Sequence, residues 1–264
     1  MKETRRIEVR GKPLGGGTLP AIIMPLMGRT RKEALDEVAA IVAKKPDLLE
    51  WRIDFFQAIG DIPTVIDTAR AIRRAAGGIP VLLTRRHVAE GGQPLTIDET
   101  AVVAMYRAIC EAGCVELIDY ELSNRPEDIE TLRAVSKASG IGMIMSYHDF
   151  HMTPDAAALD ARFVAAGKLG ADVAKVAVMP ADERDVLELL AATSRAREAV
   201  DVPLIAMSMG RMGSLSRIMG WVYGSAATFA AGRSSSAPGQ MDIEDLRAAL
   251  AIVRQTIMGP PAQI

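Results

Sequence analysis

A single lysine interrupts an apolar segment past the middle of the chain. Residues 171–180 read ADVAKVAVMP, and Lys175 stands between an alanine and a valine. Burying an unpaired ammonium group costs free energy, and such a group often responds by losing its proton. Three explanations are open: the side chain reaches water at the rim of a sheet, a carboxylate neutralises it, or the amine is kept neutral to attack a carbonyl.

Other polar residues follow a strand pattern. Successive side chains of a strand point to opposite faces, so Glu50 and Arg52 share one face of LLEWRI and Trp51 lies on the other. The same alternation, applied to several strand ends, predicts an inward-facing set of Glu50, Arg52, Arg86, His148 and Lys175. Any one of these residues fits a structural ion network. Five together, including a histidine on a strand, indicate a reaction site.

These residue types suit imine chemistry on a small, polar, anionic keto compound. A neutral lysine amine forms an imine with a ketone or aldehyde, and the imine makes an adjacent C–H bond acidic. His148 is suited to removing and returning that proton, with Glu50 orienting and charge-stabilising its imidazole. The arginines Arg52, Arg86 and Arg217 are suited to binding a carboxylate.

Eight apolar segments with strand character are positioned along the chain to present these residues. They begin at residues 20, 47, 79, 114, 141, 171, 202 and 224. Segments with helical spacing lie between them, such as RKEALDEVAAIVAKK and ERDVLELLAATSRAREAV, and MDIEDLRAALAIVRQTI follows the last strand. Eight strand–helix repeats in about 250 residues predict an α/β fold, the (β/α)8 TIM barrel, in which function gathers at the carboxyl ends of the strands.

A doubly wound open sheet is the structural alternative. That fold usually carries GxGxxG after its first strand, whereas this chain reads MPLMGRTRKEA there. The GGG at 15–17 precedes every barrel strand and lacks the GK[ST] of a P-loop. We therefore expect a short N-terminal extension that caps the bottom of the barrel. No composition break divides the chain, and residues 1–264 are predicted to form a single domain.

Composition argues against several classes of partner. The formal net charge is −2, and lysine and arginine are spread along the chain, so no basic field indicates nucleic acid. No apolar run approaches the ~20 residues of a membrane span, and the charged N-terminus lacks the apolar centre of a signal peptide. We therefore expect no membrane partner and a cytoplasmic location.

Metal binding is not expected either. Cys110 and Cys114, in CEAGC, have no second Cys or His pair nearby, so they are interpreted as packing thiols where a helix hands over to a strand. His148 and His151, in HDFH, invite a metal interpretation. The chain holds only three histidines, and Lys175 is predicted to lie beside this pair, so we expect no metal. His87 is interpreted as a loop residue.

Two loops near the C-terminus are expected to contribute to the site. MGRMGSLSRIMG follows the seventh strand, and AGRSSSAPGQMD follows the eighth. The second loop is rich in serine and glycine and contains Gln240, as a mobile lid would. TIM barrels often bind phosphate at these two positions, so a phosphorylated sugar stays open as a substrate.

Five motifs, in order, resemble a known family. They are LEWRIDFF, SYHDFHMTP, AKVAVMP, AMSMGRMGSLSRIMG and GSAATFAAGRSSSAPGQ, and the likeness extends from about residue 20 to 255. The chain resembles the type I 3-dehydroquinate dehydratases. The resemblance implies a lyase of the shikimate pathway that converts 3-dehydroquinate to 3-dehydroshikimate, needs no metal or organic cofactor and is commonly a homodimer.

The resemblance also implies roles for individual residues. Lys175 matches the imine-forming lysine, His148 the general acid/base, and Glu50 the glutamate that pairs with that histidine. The matches to substrate-binding positions are Arg52, Arg86, Arg217, Ser236 and Gln240. Arg86 is preferred to Arg85 because strand parity turns it inward and Glu90 follows it at the family's spacing.

Two residues depart from the family's pattern. Pro25 stands where some relatives carry a serine that contacts substrate, and Tyr147 precedes the histidine where others often have asparagine. The first departure removes a side-chain hydrogen bond, and the second is expected to alter the hydrogen bonding of His148. Neither departure removes a catalytic group.

Two other functions stay open. A class I aldolase also uses an imine-forming barrel lysine, usually on phosphorylated substrates. A catalytically silent protein that binds a polyhydroxy acid needs the arginines, Ser236 and Gln240, but not Lys175 together with His148. Borohydride trapping of an imine distinguishes the enzymes from the binding protein.

Overall fold

The computed structural model describes residues 5–17, 19–232 and 236–259. It begins with an antiparallel hairpin of two strands, β1 (Arg6–Val9) and β2 (Lys12–Gly15). The hairpin turn passes through Arg10 and Gly11, which both have positive φ. Such turns match the right-handed twist of the flanking strands. This hairpin is the N-terminal extension expected from the sequence.

In the part of the chain that the structure describes, eight parallel strands follow and form one sheet. They are β3 (Ala21–Leu26), β4 (Leu48–Arg52), β5 (Val81–Thr84), β6 (Leu117–Glu121), β7 (Gly142–Asp149), β8 (Val173–Val178), β9 (Leu204–Ser208) and β10 (Ala227–Phe229). From β3 to β9 each strand pairs with the next, and β10 pairs with β3. Hydrogen bonds from Ala226 N to Leu204 O (2.6 Å) and from Ala206 N to Ser225 Oγ (3.1 Å) connect β9 with the approach to β10. These contacts bring the two ends of the sheet together and nearly close the barrel.

In the described residues, eight α-helices alternate with these strands. They are α1 (Arg31–Val42), α2 (Ile62–Ala75), α3 (Glu99–Ala112), α4 (Pro126–Ala138), α5 (Ala156–Lys168), α6 (Glu183–Ala199), α7 (Gly210–Tyr223) and α8 (Ile243–Met258). Short polar side chains start most of them by accepting a backbone N–H of the first turn, which has no partner inside the helix. These residues are Thr30, Asp61, Asp98, Asp155, Asp182 and Asp242. The predicted TIM barrel is confirmed.

Strand parity separates two apolar cores. Leu49 and Trp51 point outward and pack in the layer between the sheet and the helices. Leu48, on the same strand, points into the barrel. The hairpin residues Val9 and Leu14 belong to this inner core, so the hairpin caps the bottom of the barrel as predicted. Polar side chains therefore gather at the other end, where the strands finish.

Cys110 and Cys114 are buried and free. Cys110 lies in the last turn of α3, and Cys114 lies in the short connection to β6. Burial raises the pKa of the Cys110 thiol to about 12 and that of the Cys114 thiol to about 11. Both are packing thiols, as predicted. Elsewhere, no helix of the described residues has the length and apolarity needed to cross a membrane.

Candidate active site

The carboxyl ends of the barrel strands surround a small cavity of about 40 Å³, called here the catalytic cavity. Seven of the eight predicted site residues line it: Glu50, Arg52, Arg86, His148, Lys175, Ser236 and Gln240. Phe150, Met207, Met209 and Phe229 supply apolar lining. A water molecule needs roughly 10–15 Å³ of such volume. The cavity therefore has room for a few water molecules.

Lys175 extends from β8 into the barrel, and the residue is 4 % exposed. Its Nζ donates to Asp119 Oδ2 at 2.8 Å and lies 3.9 Å from Glu50 Oε1. Nζ also lies 4.9 Å from the centre of the Phe229 ring. Of the three explanations for this lysine, the structure shows pairing with a carboxylate.

Asp119, on β6, is the centre of a buried polar network. Its Oδ1 accepts from Arg86 Nη2 at 2.8 Å and from Ser146 Oγ at 2.6 Å. Arg86 Nη1 donates to Glu121 Oε1 at 2.9 Å. Burial opposes ionisation of Asp119, but the positive charges of Arg86 and Lys175 outweigh it and hold the carboxyl pKa well below its ordinary value. The network fixes the position of Lys175 Nζ.

His148, near the end of β7, pairs with Glu90. Its Nδ1 lies 3.0 Å from Glu90 Oε2, and its backbone N donates to the same oxygen at 2.9 Å. Ser123 Oγ donates to Glu90 Oε1 at 2.5 Å. The prediction that Glu50 pairs with this histidine is wrong. A short 3₁₀ helix, Val88–Glu90, follows β5 and brings Glu90 against β7.

Burial favours the neutral forms of this pair. Burial, and then the positive charges of Arg86 and Lys175, lower the pKa of His148 well below its ordinary value. Burial raises the pKa of Glu90 to about 7, although the Arg86 charge opposes the shift. The imidazole is therefore neutral near pH 7. When Nδ1 carries the proton and donates it to Glu90, Nε2 is free to act as a base.

Glu50 lies on the side of the cavity nearer to the amine. It extends from β4, is 3 % exposed and accepts a hydrogen bond from Thr84 Oγ1 at 3.0 Å. Its Oε1 faces Lys175 Nζ at 3.9 Å. Glu50 is therefore positioned to attract a positive charge on Lys175 Nζ.

Arg52 and Arg86 both line the cavity. Arg52 binds Asp54 with two hydrogen bonds of 2.8 Å, from Nε and from Nη2. The neighbouring Arg85 turns the other way and pairs with Glu99. The preference for Arg86 as the inward-facing arginine is confirmed.

Arg217, on α7, is the predicted residue that lies just behind the cavity lining. Its side chain is almost fully buried, and its Nη1 contacts Met207 Sδ at 3.4 Å. Nη2 donates to Pro238 O at 3.0 Å, and Nε has no hydrogen-bond partner in the described structure. Burial lowers the pKa of Arg217 to about 10. Among the described residues no carboxylate pairs with it, and a buried cation without a counter-charge is costly.

Residues 236–240 border the cavity next to Arg217. Ser236 N donates to Gln240 Oε1 at 2.9 Å, and Gln240 Nε2 donates to Ser236 Oγ at 3.0 Å. Gly239 has a φ of +82°, and a Cβ there would meet Gly210 O at 2.1 Å. The loop thus packs directly on the start of α7. The predicted lid also includes residues 233–235, which lie outside the described residues, and its mobility stays a prediction.

The sequence interpretation assigns no role to three acidic side chains that contact the side chains of Lys175, Arg86 or His148. Two of them, Asp119 and Glu121, share the inward face of LIDYE with Leu117, so the alternation test extended to this strand would find them. The third, Glu90, lies on a loop segment where no periodicity applies. Nothing in the sequence shows which side chain it will reach.

The other polar candidates take no part in the cavity. The described residues contain no group of three or more side chains suited to holding a metal ion. His87 lies in the loop after β5, where its Nδ1 accepts from Ala89 N at 3.1 Å. Tyr147 packs under Arg162, with 4.2 Å between the guanidinium carbon and the ring centre. The described hydrogen bonds of His148 go to Glu90, and the Tyr147 hydroxyl donates to Asp149 Oδ2 at 3.2 Å.

Comparison with known proteins gives one consistent result. The family model described as type I 3-dehydroquinase matches residues 22–257. A 3-dehydroquinate dehydratase from Albidiferax ferrireducens is 50 % identical over 257 residues, which cover 97 % of each chain. The crystal structure of 3-dehydroquinate dehydratase from Geobacillus kaustophilus is 43 % identical, with a TM-score of 0.93 and coverage of 98 % of this chain and 99 % of that one. The type I enzyme from Clostridium difficile, solved with covalently modified comenic acid, is 36 % identical, with a TM-score of 0.91 and coverage of 96 % and 99 %.

Proposed function

The chain belongs to the type I 3-dehydroquinase family, and we propose that it dehydrates 3-dehydroquinate to 3-dehydroshikimate, a step of the shikimate pathway, through an imine on Lys175. The observation that carries the proposal is the meeting of three features at one small cavity. They are an amine held by Asp119, the His148–Glu90 pair and, just behind the lining, a buried arginine with no carboxylate partner among the described residues.

The first step is attack of Lys175 Nζ on the C3 carbonyl carbon. Nζ must give up a proton before it attacks, and His148 is the nearby side chain that is neutral and can carry protons. The carbonyl oxygen gains protons and leaves as water, which yields the imine. Asp119 and Glu50 then face the positive imine nitrogen in place of the ammonium.

The second step is elimination. The imine withdraws electrons from C2, so His148 Nε2 removes a proton from that carbon and the C–H electron pair forms an enamine. The enamine expels the C1 hydroxyl, which takes the proton back from His148 and leaves as water. Hydrolysis of the imine releases the product and restores Lys175. Glu90 keeps the imidazole in one orientation throughout, because it binds both Nδ1 and the backbone N of His148.

Substrate binding is assigned to the side of the cavity near the last strands. We propose that Arg217 binds the substrate carboxylate, because its guanidinium is buried and has no carboxylate partner in the described structure. Ser236 and Gln240 supply hydrogen bonds to the hydroxyl groups. Arg52 and Arg86 complete the polar lining, although their donors are already engaged by Asp54, Asp119 and Glu121.

Borohydride trapping with intact-mass measurement tests the proposal. The protein is incubated with 3-dehydroquinate, reduced and mapped by peptide mass, while absorbance reports the enone product. We expect one adduct on Lys175, none in Lys175→Ala, and an unchanged adduct in Lys168→Ala, which alters an exposed lysine. A covalently modified ligand in the Clostridium difficile relative is in keeping with this expectation.

The same experiment separates the alternatives. Absence of both adduct and enone would overturn the proposed reaction and favour a catalytically silent binding protein. An adduct with a phosphorylated sugar, together with carbon–carbon cleavage products and no enone, would favour a class I aldolase. The first of these results would also return Lys175 to a structural role.

We further propose that the protein is a homodimer. The neighbouring helices α6, α7 and α8 expose six large apolar side chains: Leu187, Met212, Leu215, Ile252, Ile257 and Met258. Apolar patches of this kind favour association. Light scattering after size exclusion is expected to give twice the mass of one chain. The double variant Leu187→Glu, Leu215→Glu is expected to give a lower mass. Val88→Glu, an exposed site elsewhere, is the control, and a monomeric native protein would overturn the proposal.

A further inference from the structure

A second concave surface lies at the bottom of the barrel, opposite to the catalytic cavity. A cavity of about 250 Å³ is lined by Arg10 of the hairpin and by Arg70, Arg73 and Arg74 of α2. We call it the arginine pocket. It shares Arg10 and Arg73 with an adjoining cavity of about 480 Å³ beneath the hairpin. Because α2 runs antiparallel to the strands, its last turns lie at the capped end of the barrel.

Carboxylates neutralise only part of this positive charge. Glu116 accepts from Arg73 Nε at 2.7 Å and lies 3.8 Å from Arg10 Nε. Asp67 lies 3.9 Å from Arg70, but both side chains are more than half exposed, and such pairs contribute little. No ion pair of Arg74 occurs within the described ranges. Within the described ranges the buried carboxylate of Glu116 therefore faces only Arg10 and Arg73, and no buried carboxylate pairs with Arg70 or Arg74.

Helix dipoles explain some of the excess charge but not all of it. α2 and α3 both end at the pocket, and each helix C-terminus carries about half a negative charge. Together with Glu116, they balance about two of the four positive charges. Arg70 and Arg74 are also four residues apart on one helix, where like charges repel and destabilise it. About two positive charges are left to be balanced from outside the chain.

We propose that the arginine pocket binds a small dianion with a phosphate group, either inorganic phosphate or a phosphate monoester. Guanidinium groups bind phosphate oxygens through two parallel hydrogen bonds, and Arg70 and Arg74 have donors to spare. The ligand would connect the hairpin, through Arg10, to α2 of the barrel. Its binding therefore stabilises the N-terminal cap and with it the folded chain.

Thermal unfolding with added phosphate tests this site without using the enzyme's activity. Phosphate is titrated against chloride at constant ionic strength. The midpoint temperature of unfolding of the native protein is expected to rise by about 2–4 °C when the phosphate concentration is near ten times the dissociation constant. The double variant Arg70→Ala, Arg74→Ala is expected to lose this rise. Arg107→Ala with Arg254→Ala removes the same charge from α3 and α8 and is expected to keep it.

Three results would overturn the proposal. The first is a phosphate-induced rise in the unfolding midpoint that is equal in the native protein and the Arg70/Arg74 variant. The second is loss of this rise in the control variant as well. The third is a rise that disappears in Arg217→Ala but persists in the Arg70/Arg74 variant. The last result would place the phosphate at the catalytic cavity. Glycerol phosphate tests whether a phosphate monoester binds. If succinate raises the unfolding midpoint and phosphate does not, the assignment of a phosphate ligand is overturned. If circular dichroism shows the double variant unfolded, Arg74→Gln takes its place.

Discussion

The two sides of the catalytic cavity treat buried positive charge differently. On the side of β5 to β8, Arg86 and Lys175 donate to carboxylates at 2.8–2.9 Å. On the side of β9 and β10, Arg217 is equally buried, but it meets a thioether and a backbone carbonyl, and no carboxylate of the described residues pairs with it. The first side holds the reacting groups in place with the protein's own charges. The second leaves a cation for a ligand to neutralise.

The largest effect is expected at the reacting amine. Lys175→Ala should lower kcat by at least about 10⁴-fold, because the remaining groups cannot form the imine. Substrate binding should stay detectable, because Arg217 is unaffected. Single-turnover absorbance and equilibrium binding measure the two quantities, with Lys168→Ala as the control. Normal turnover in Lys175→Ala would refute the imine mechanism.

Removing the carboxylate that binds Lys175 and Arg86 should destabilise the side of the cavity formed by β5 to β8. Asp119→Asn leaves Lys175 and Arg86 without one of their buried counter-charges, so the free energy of unfolding should fall by about 3 kcal/mol. Asp36→Asn, in an exposed ion pair with Lys32, should cost less than about 1 kcal/mol.

The pH dependence of the free energy of unfolding gives a sharper test of the same ion pair. Because the folded-state pKa of Asp119 is lowered, its stabilising contribution is present above its ordinary pKa and is lost as pH falls. Denaturant titrations should therefore show the gap between native protein and Asp119→Asn narrowing under strongly acidic conditions. A constant gap would contradict the assignment of the ion pair.

The opposite response is expected on the side of β9 and β10, where Arg217 lies. Arg217→Met should raise KM on the order of 100-fold, because the substrate carboxylate loses its buried partner. The free energy of unfolding should stay the same or rise, since the variant replaces a buried unpaired cation with an apolar side chain of similar length. Steady-state kinetics and urea titration test both. A loss of stability as large as that of Asp119→Asn would remove the contrast between the two sides.

The smallest effect is expected at the histidine's partner. Glu90→Gln should lower kcat only several-fold, because the amide still holds the imidazole by a hydrogen bond. Glu90 is neutral below about pH 7, so the amide should leave the acid limb of kcat/KM in place, and only the change that accompanies ionisation of Glu90 near pH 7 should be lost. A downward shift of the acid limb would show instead that Glu90 is ionised beside the imidazole.

Stability gives a second test of the same residue. The folded-state pKa of Glu90 is raised to about 7, so its contribution is fully present below its ordinary pKa and is lost as pH rises through about 7. The native protein should therefore lose stability between about pH 5 and pH 8 relative to Glu90→Gln. Urea midpoints near these two pH values measure the difference.

Much of the site was predictable because strand alternation is a local property. Arg52, Arg86 and Lys175 face inward as LLEWRI, LLTRR and AKVAV predict, and His148 does so at the end of its own strand. The same alternation indicates Asp119 and Glu121 once it is applied to LIDYE. A period of two needs no knowledge of neighbouring strands, so the sequence alone is sufficient for it.

The pairing of acids and bases was not predictable in this way. Glu50 was expected beside His148, but Glu50 lies 3.9 Å from Lys175 Nζ and Glu90 takes the expected place. Alternation shows that a side chain points inward, not which of its neighbours it reaches. That choice depends on the path of the loop after β5, which carries Glu90 to a strand 58 residues away in sequence.

By itself the sequence determined the eight strand–helix repeats, the capping hairpin, and a lysine and a histidine on the inner face of adjacent strands, because periodicity and composition act over a few residues at a time. Only the tertiary structure decided that Lys175 binds Asp119, that no carboxylate of the described residues pairs with Arg217, and that Arg10 joins Arg70 and Arg74 below the barrel. These outcomes depend on distances of a few ångströms between elements far apart in the chain. Such distances follow from barrel closure and loop paths, which no local pattern encodes.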